Sequence, residues 1–150
     1  MHTTIMTFLW GGGARNTISQ DIGILLLRFF VGLAFCTVFE KFTATNGVWG
    51  PQDWFVQDVA DMGFPAPVVF AWLAVLAEFV GGILLMVGLL TRPAAFLNAL
   101  VTFTATFIYH EGDIADAGLL SFFFMIMCLT VLLIGPGRFS LDRLLIAKRQ

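Results

Sequence analysis

Two ionisable residues lie inside long apolar stretches of this 150-residue sequence, where charged side chains are rare. Arg28 interrupts the apolar stretch over residues 22–39, and Glu78 lies near the middle of the stretch over residues 68–90. A charged side chain at the centre of a membrane helix costs roughly 2.5–3.5 kcal/mol, so it usually faces other helices and has a partner. Asn98 falls at a depth similar to that of Arg28. The sequence therefore predicts a buried polar cluster of Arg28, Glu78 and Asn98.

This predicted cluster has a functional and a structural interpretation. A buried carboxyl such as Glu78 can relay a proton or anchor the polar headgroup of a ligand, because its protonation responds strongly to its surroundings. Alternatively, the same residues form an ion pair that fixes the register of two helices, or Arg28 extends its guanidinium to the membrane interface. The residue types leave both interpretations open.

A second polar group is predicted where the first and third apolar stretches end. It comprises Glu40, Lys41, His110 and Glu111. A neutral imidazole beside carboxylates can exchange a proton, for instance with a quinone carbonyl, and with acidic neighbours it can bind a divalent cation. A solvated acidic loop is the alternative interpretation. We assign no metal and no catalytic residue from these residues.

The cysteines and histidines indicate what chemistry the sequence disfavours. Cys36 and Cys128 are far apart and form no CxxC motif, which makes thiol–disulfide exchange a poor fit. They are interpreted as small apolar residues. His2 and His110 are the two histidines, and the predicted topology places them on opposite membrane faces, which disfavours a haem held by two histidines.

The composition indicates that lipid surrounds much of the chain. Hydrophobic residues make up 59% of the sequence and charged residues 12%, against about 45–50% and about 25% in soluble domains. A chain of this size has too small an interior to hide that excess. The net charge of -2 argues against a nucleic-acid partner, because proteins that bind nucleic acid usually carry a basic surface.

Four stretches are long enough to cross a bilayer as helices, which takes about 20 apolar residues each. They cover residues 22–43, 68–90, 93–110 and 117–134. Ala74, Gly81 and Gly82 lie near Glu78 and would let a neighbouring helix approach closely. The sequence therefore predicts one all-α domain over residues 1–150, folded as an integral membrane four-helix bundle.

The distribution of charge predicts the orientation. With both termini in the cytoplasm, the basic residues gather on the inner side, as the positive-inside rule requires; they are Arg15, Arg92, Arg138, Arg143, Lys148 and Arg149. The acidic residues then lie in the outer loops; they are Asp53, Asp58, Asp61, Glu111, Asp113 and Asp116. This orientation predicts a multi-pass protein of the bacterial cytoplasmic (inner) membrane.

The first outer loop contains a candidate helix between Pro51 and Gly63. Phe55, Val59 and Met62 share one helical face there, which predicts a short amphipathic helix lying on the outer membrane surface. Tryptophans of this loop and of the second span fall near the same interface, where aromatic rings are favoured.

Several segments together resemble the DoxX family of small bacterial membrane proteins, from about Leu26 to Arg143. They are LLRFFVGLAF with FEKF, DMGFPAP, AEFVGG with LLTR, the histidine that closes the third span, and IGPGRFSLDR. The resemblance implies a four-helix inner-membrane protein and no single activity. The family's name comes from a subunit of a thiosulfate:quinone oxidoreductase, and other members look like membrane partners of soluble redox enzymes in oxidative-stress defence. The positions that match are Arg28, Glu40, Lys41, Glu78, Gly81, Gly82, Arg92 and His110.

Three functions are compatible with these observations. The first is a membrane component of an oxidoreductase or redox-stress system that interacts with quinone and assembles with soluble redox enzymes. The second is a non-enzymatic scaffold that recruits partner proteins or associates with itself. The third is a small-molecule or ion carrier built around Glu78, although a single four-helix unit without inverted repeats is small for alternating access.

Overall fold

The computed structural model describes residues 18–37, 41–45 and 48–147, and the fold is helical apart from one small sheet. The helices are α1 (Ile18–Cys36), α2 (Asp53–Asp61), α3 (Pro67–Val87), α4 (Thr91–Thr104), α5 (Leu119–Ile134) and α6 (Leu141–Ala147). A π-helical turn, Ala105–Tyr109, continues α4. Two strands, β1 (Phe42–Thr45) and β2 (Val48–Pro51), separate α1 from α2.

Two helices are long and apolar enough to cross a bilayer by length and composition: α1 with 19 residues and α3 with 21. Pro67 begins α3, where its missing N–H is harmless, and Gly88 ends it with a φ of 71°. α4 has 14 residues before its π-helical turn, and α5 has 16 apolar residues. The predicted second, third and fourth spans therefore each coincide with a helix.

The first helix differs from the prediction at its end. α1 ends at Cys36, whereas residues 42 and 43, which were expected to close the first span, belong to β1. β1 pairs antiparallel with β2, with Phe42 opposite Pro51 and Thr45 opposite Val48. Thr43 and Thr45 before the dipeptide and Val48 and Trp49 after it favour strands, and Asn46-Gly47 is a sequence typical of a hairpin turn. The expectation of an all-α fold thus needs this hairpin added.

The four longest helices pack around a shared core. α1 packs against α3, α3 against α4, α4 against α5, and α5 back against α1. The core is built from residues of all four, namely Val31, Phe35, Leu85, Ala94, Ala95, Ala99, Cys128 and Val131. α1 and α3 approach most closely at two glycines, because a Cβ on Gly82 would lie 2.7 Å from the carbonyl oxygen of Gly32.

The outward faces of these helices expose many large apolar side chains. Examples are Leu26, Phe30, Val69, Phe96 and Leu133, each more than half exposed. A soluble monomer rarely leaves such a continuous apolar surface in water, whereas a lipid-facing surface requires it. The exposed apolar belt therefore agrees with the membrane environment that the composition predicts.

α2 forms the short helix that the loop pattern predicts. Its Phe55 and Val59 are buried and pack against Ala71 and Val75 near the start of α3. This packing holds α2 against one end of the helical core.

Candidate functional site

Glu78 has an ionic partner on a different element of the fold. The Lys41 ammonium donates to both oxygens of the Glu78 carboxylate, at 3.1 Å and 3.2 Å. The Glu78 side chain is 6% exposed and that of Lys41 is 29% exposed. The carboxylate is therefore enclosed, and Lys41 is the member of the pair that lies nearer to open space.

The hairpin holds Lys41 in this position. The carbonyl oxygen of Lys41 accepts a hydrogen bond from the backbone N–H of Gln52, at 2.9 Å. The ring of the next residue, Phe42, packs edge-on against Trp72 of α3, with centroids 5.6 Å apart. The hairpin therefore folds back onto α3 and carries Lys41 towards Glu78.

α2 contributes a third member to this group. The Lys41 Nζ lies 5.2 Å from the centre of the Phe55 ring, within the range of a cation–π contact. Lys41, Phe55 and Glu78 are called the Glu78 cluster from here on. The cluster joins the hairpin, α2 and α3 through one ammonium group.

A groove with a volume of about 1570 Å³ lies beside the Glu78 cluster; it is partly open to the molecular surface and is called the cavity from here on. All three residues of the cluster line it, together with residues of α1, α4, α5 and the π-helical turn. Its lining residues on α3 extend from Phe70 to Leu84, roughly 21 Å along the helix at 1.5 Å per residue, and Leu90 in the turn after the helix also lines it. Most of its wall is apolar, and examples are Leu76, Val80, Leu84, Leu97, Val101 and Phe124.

Polar side chains line the cavity near α2. Besides Lys41 and Glu78 they include Asp58, Tyr109 and His110. The Tyr109 hydroxyl lies close enough to the Asp58 carboxylate to interact with it electrostatically, which brings α2 near the end of the π-helical turn. The rings of Tyr109 and His110 are in contact, with centroids 4.8 Å apart. π-Helical turns are rare and are frequent at functional sites, and this one supplies Tyr109 to the wall.

The predicted second polar group is thus partly assembled. Lys41 and His110 both line the cavity. Glu111 is exposed and has a positive φ of 51° in the loop that follows. Glu40 lies outside the described residues.

Arg28 lies in a different place, near the opposite end of α3. Its guanidinium is completely buried and donates from Nη2 to the carbonyl oxygen of Phe139, at 2.6 Å. A Cβ on Gly88 would collide with this guanidinium, which shows how closely the backbone passes over it. The carboxylate of Asp142 is close enough to interact electrostatically with Arg28.

The buried Asp142 organises the turn between α3 and α4. Its two carboxylate oxygens accept the backbone N–H groups of Leu90, at 2.8 Å, and Thr91, at 2.9 Å. Its own N–H donates to the Gly88 carbonyl. Leu90 has a φ of 47°, a conformation that is unusual for a side chain with a Cβ. Arg28, Gly88, Phe139 and Asp142 are called the Arg28 cluster from here on.

The three residues of the predicted buried cluster do not come together in the structure. Glu78 and Gly88 are ten residues apart on α3, or roughly 15 Å along a helix, and they lie beside Lys41 and Arg28 respectively. Asn98 packs against Gly81, and its Nδ2 donates to the carbonyl of Ala94 at 3.0 Å. The Oδ1 of Asn98 is buried and finds no hydrogen-bond donor among the described residues.

Two of the predicted packing residues contact neighbouring helices. Gly81 faces the Asn98 amide of α4, and Gly82 faces Gly32 of α1. Ala74 lines the cavity near α2. Of the small residues near Glu78, Gly81 and Gly82 therefore allow close helix contacts, and Ala74 leaves room for the cavity.

Sequence reasoning missed three contributors to these clusters. The pattern of charge does not single out Asp142, and Phe55 and Tyr109 fit the patterns of an interfacial helix and of a membrane span. A carboxylate just after GPGRFS, near the end of the apolar stretches, is the one signal that could have suggested a helix-turn cap. In the described part of the chain, no three histidine, cysteine, aspartate or glutamate side chains converge as a metal site requires.

The comparisons with known proteins agree with the membrane character of the chain. The family model DoxX matches residues 23–111. Inner membrane protein YqjF of Escherichia coli (strain K12) is 30% identical over 135 residues, which cover 84% of this chain and 94% of that protein. Inner membrane protein YphA of the same organism is 33% identical over 139 residues, which cover 83% of this chain and 91% of that protein. No solved structure matches the chain.

Proposed function

This chain belongs to the DoxX family of inner-membrane proteins, and from that membership we propose that it is a quinone-binding membrane component of an oxidoreductase system. The observation that carries the proposal is the elongated apolar cavity with the Lys41–Glu78 pair in its wall. Ligand sites are mostly apolar clefts with a few polar groups that orient the ligand. The cavity has that character.

The chemistry of a quinone fits the two parts of this cavity. Its polyprenyl tail needs a long apolar channel, and the apolar wall along α3 and α4 supplies one. Its ring carries carbonyl oxygens that accept hydrogen bonds. Lys41 and His110 both line the cavity and both can donate to such oxygens. We therefore place the quinone ring near α2 and the tail along α3.

We also propose that the chain crosses the membrane four times, with both termini in the cytoplasm. α1, α3, α4 with its π-helical turn, and α5 would form the four passes of a membrane bundle. Basic residues near the Arg28 cluster, namely Arg92, Arg138 and Arg143, support a cytoplasmic position for that end. The acidic loops and α2 would then face the periplasm, with α2 at the membrane surface.

Reduction of a quinone requires a partner that supplies electrons. A quinone takes up two electrons and two protons when it becomes a quinol. We assign the supply of electrons to a soluble redox enzyme that docks on this protein, and the binding and orientation of the quinone to the cavity. His110 is the side chain in the wall best suited to exchange a proton with the ring.

A cavity-filling substitution tests the proposal. Ala77 lines the cavity on α3, whereas Ile83 lies on the same helix with its side chain outside the lining set. Ala77→Phe should lower the affinity for decylubiquinone by about tenfold or more, because the added ring occupies ligand space. Ile83→Phe should leave that affinity unchanged. Binding is measured by quenching of tryptophan fluorescence in detergent, since Trp54 lines the cavity.

The purified wild-type protein supplies the second arm of the test. Mild solubilisation followed by identification of bound lipids and proteins should recover a quinone with the chain. Equal quinone affinity for wild type and Ala77→Phe would contradict the proposal. A stable protein partner recovered without any quinone would instead favour a non-enzymatic scaffold.

A further inference from the structure

The charges around the cavity are unevenly matched. Among the described residues that line it, Lys41 is the one lysine or arginine, and Asp58 and Glu78 are its acidic members. With a neutral His110, the formal charge of this set is -1. We propose that the Lys41–Glu78 pair selects ligands by charge, so that the cavity takes a neutral carbonyl-bearing lipid and rejects fatty-acid anions. This inference rests on the proposed function only in using the same cavity.

The geometry of the pair determines which group a ligand meets. Both oxygens of Glu78 accept from the ammonium, and the carboxylate is almost completely enclosed. Lys41 is nearly one-third exposed and is held beneath the Phe55 ring. An ammonium has three N–H donors, so a ligand oxygen can share Lys41 while Glu78 keeps its contact. Lys41 is therefore the ligand-facing donor, and Glu78 is a positioning residue.

The same geometry penalises an anion. A carboxylate that enters an apolar cavity loses its hydration and regains that free energy only from an uncompensated cation. Glu78 already neutralises Lys41 at 3.1 Å, and Asp58 adds a further negative charge to the wall. A neutral carbonyl loses far less hydration and still gains the hydrogen bond. Because Glu78 already compensates the charge of Lys41, the pair offers no net positive charge to an anionic ligand, and it therefore favours neutral ligands.

Glu78→Gln separates this charge effect from shape. The glutamine keeps the size of the side chain and one acceptor for Lys41, but it no longer cancels the charge of the ammonium. Laurate should then bind about tenfold tighter or more, because its carboxylate gains an uncompensated ion pair with Lys41. Methyl laurate carries no charge and serves as the reference, so the ratio of laurate affinity to methyl laurate affinity should rise by about tenfold or more.

The experiment uses the full chain in a non-ionic detergent. Isothermal titration calorimetry measures laurate and methyl laurate, and tryptophan quenching measures decylubiquinone. The matched control is Asp116→Asn, which removes an exposed carboxylate that is absent from the cavity wall. The double variant Lys41→Gln/Glu78→Gln should lose the gain in laurate affinity, because it no longer carries the cation.

A laurate affinity that is the same in Glu78→Gln and wild type would overturn the inference, as would an equal gain in the Asp116→Asn control. If Glu78→Gln does not fold, Asp58→Asn provides the test, since it removes the other acidic charge of the wall and should raise laurate affinity by a smaller factor. Failure of quinone binding in every variant, with the laurate gain intact, would contradict the proposed function and leave the charge selection standing.

Discussion

Arg28 and Glu78 are both buried charges, yet the groups around them differ in kind. The Arg28 guanidinium contacts backbone: the Phe139 carbonyl and the close-packed Gly88. Glu78 contacts one side chain, Lys41, and that side chain borders a large cavity. The first arrangement uses its charge to hold chain segments together. The second keeps a charge beside space that a ligand can enter.

Burial alone does not identify a charged residue that has a role in function. Insertion cost makes any buried charge in a membrane helix a candidate for function, and it makes Arg28 and Glu78 equivalent at the sequence level. The partners separate them. A charge whose contacts are all made by the fold has a structural role, whereas a charge that shares its partner with a cavity can act on a ligand.

The largest effect is expected from a substitution that removes the guanidinium at the centre of the Arg28 cluster. Arg28→Met would leave the Phe139 carbonyl without this donor and Asp142 without its nearby cation. The free energy of unfolding should fall by about 3 kcal/mol, measured by denaturation in detergent. Arg143→Met, which alters an exposed arginine of the same segment, should change it by less than about 0.5 kcal/mol.

Wild-type stability together with loss of decylubiquinone binding in Arg28→Met would contradict this difference between the roles of Arg28 and Glu78. That outcome would move the functional role to the Arg28 cluster. We expect the opposite: the fraction that stays folded should bind decylubiquinone with unchanged affinity.

A glycine pair tests how tightly the Arg28 cluster is packed. Gly88 and Gly63 both have positive φ, 71° and 84°, so alanine strains the backbone at either site. A Cβ on Gly88 also collides with Arg28, whereas a Cβ on Gly63 meets nothing within 4 Å. Gly63→Ala should cost about 1 kcal/mol, and Gly88→Ala should cost about 2–4 kcal/mol because overpacking adds to the strain. Equal costs would mean that the cluster yields easily.

The smallest expected effect concerns the cavity end. Tyr109→Phe removes the hydroxyl that interacts electrostatically with Asp58 and keeps the ring. Because Tyr109 is about half exposed, the free energy of unfolding should fall by less than about 1 kcal/mol. Amide hydrogen exchange of residues 53–61 should accelerate, because α2 loses a contact with the π-helical turn, while exchange in α5 stays unchanged. Uniform acceleration in both helices would show that the Tyr109–Asp58 interaction supports the whole fold rather than the cavity end.

Much of the helical framework could be predicted from the sequence, because it depends on local composition. α3 follows from an apolar stretch bounded by Pro67 and Gly88, and α2 follows from the spacing of Phe55 and Val59. The hairpin was missed, since an apolar-stretch search extends the first span through Phe42 and ignores the threonines that follow. Hydropathy measures burial in lipid and is insensitive to strand pairing.

The residues of the site were predicted better than their partners. Arg28, Glu78, Lys41 and His110 were singled out because ionisable side chains beside apolar stretches are conspicuous. Their contacts depend on long-range folding: Lys41 reaches Glu78 across 37 positions only because the hairpin turns back. The main acceptor of Arg28 is a backbone carbonyl 111 positions away, and a carbonyl has no sequence signature.

The contact between Asp142 and the α3–α4 turn has a consequence for biosynthesis. Asp142 accepts the N–H of Thr91 from 51 positions further along the chain. Synthesis runs from the N-terminus, so the ribosome makes α3 and α4 well before it makes Asp142, whose carboxylate holds the turn between these helices. The turn between α3 and α4 therefore lacks this hydrogen-bond acceptor until Asp142 has been synthesised and α6 has packed against the turn.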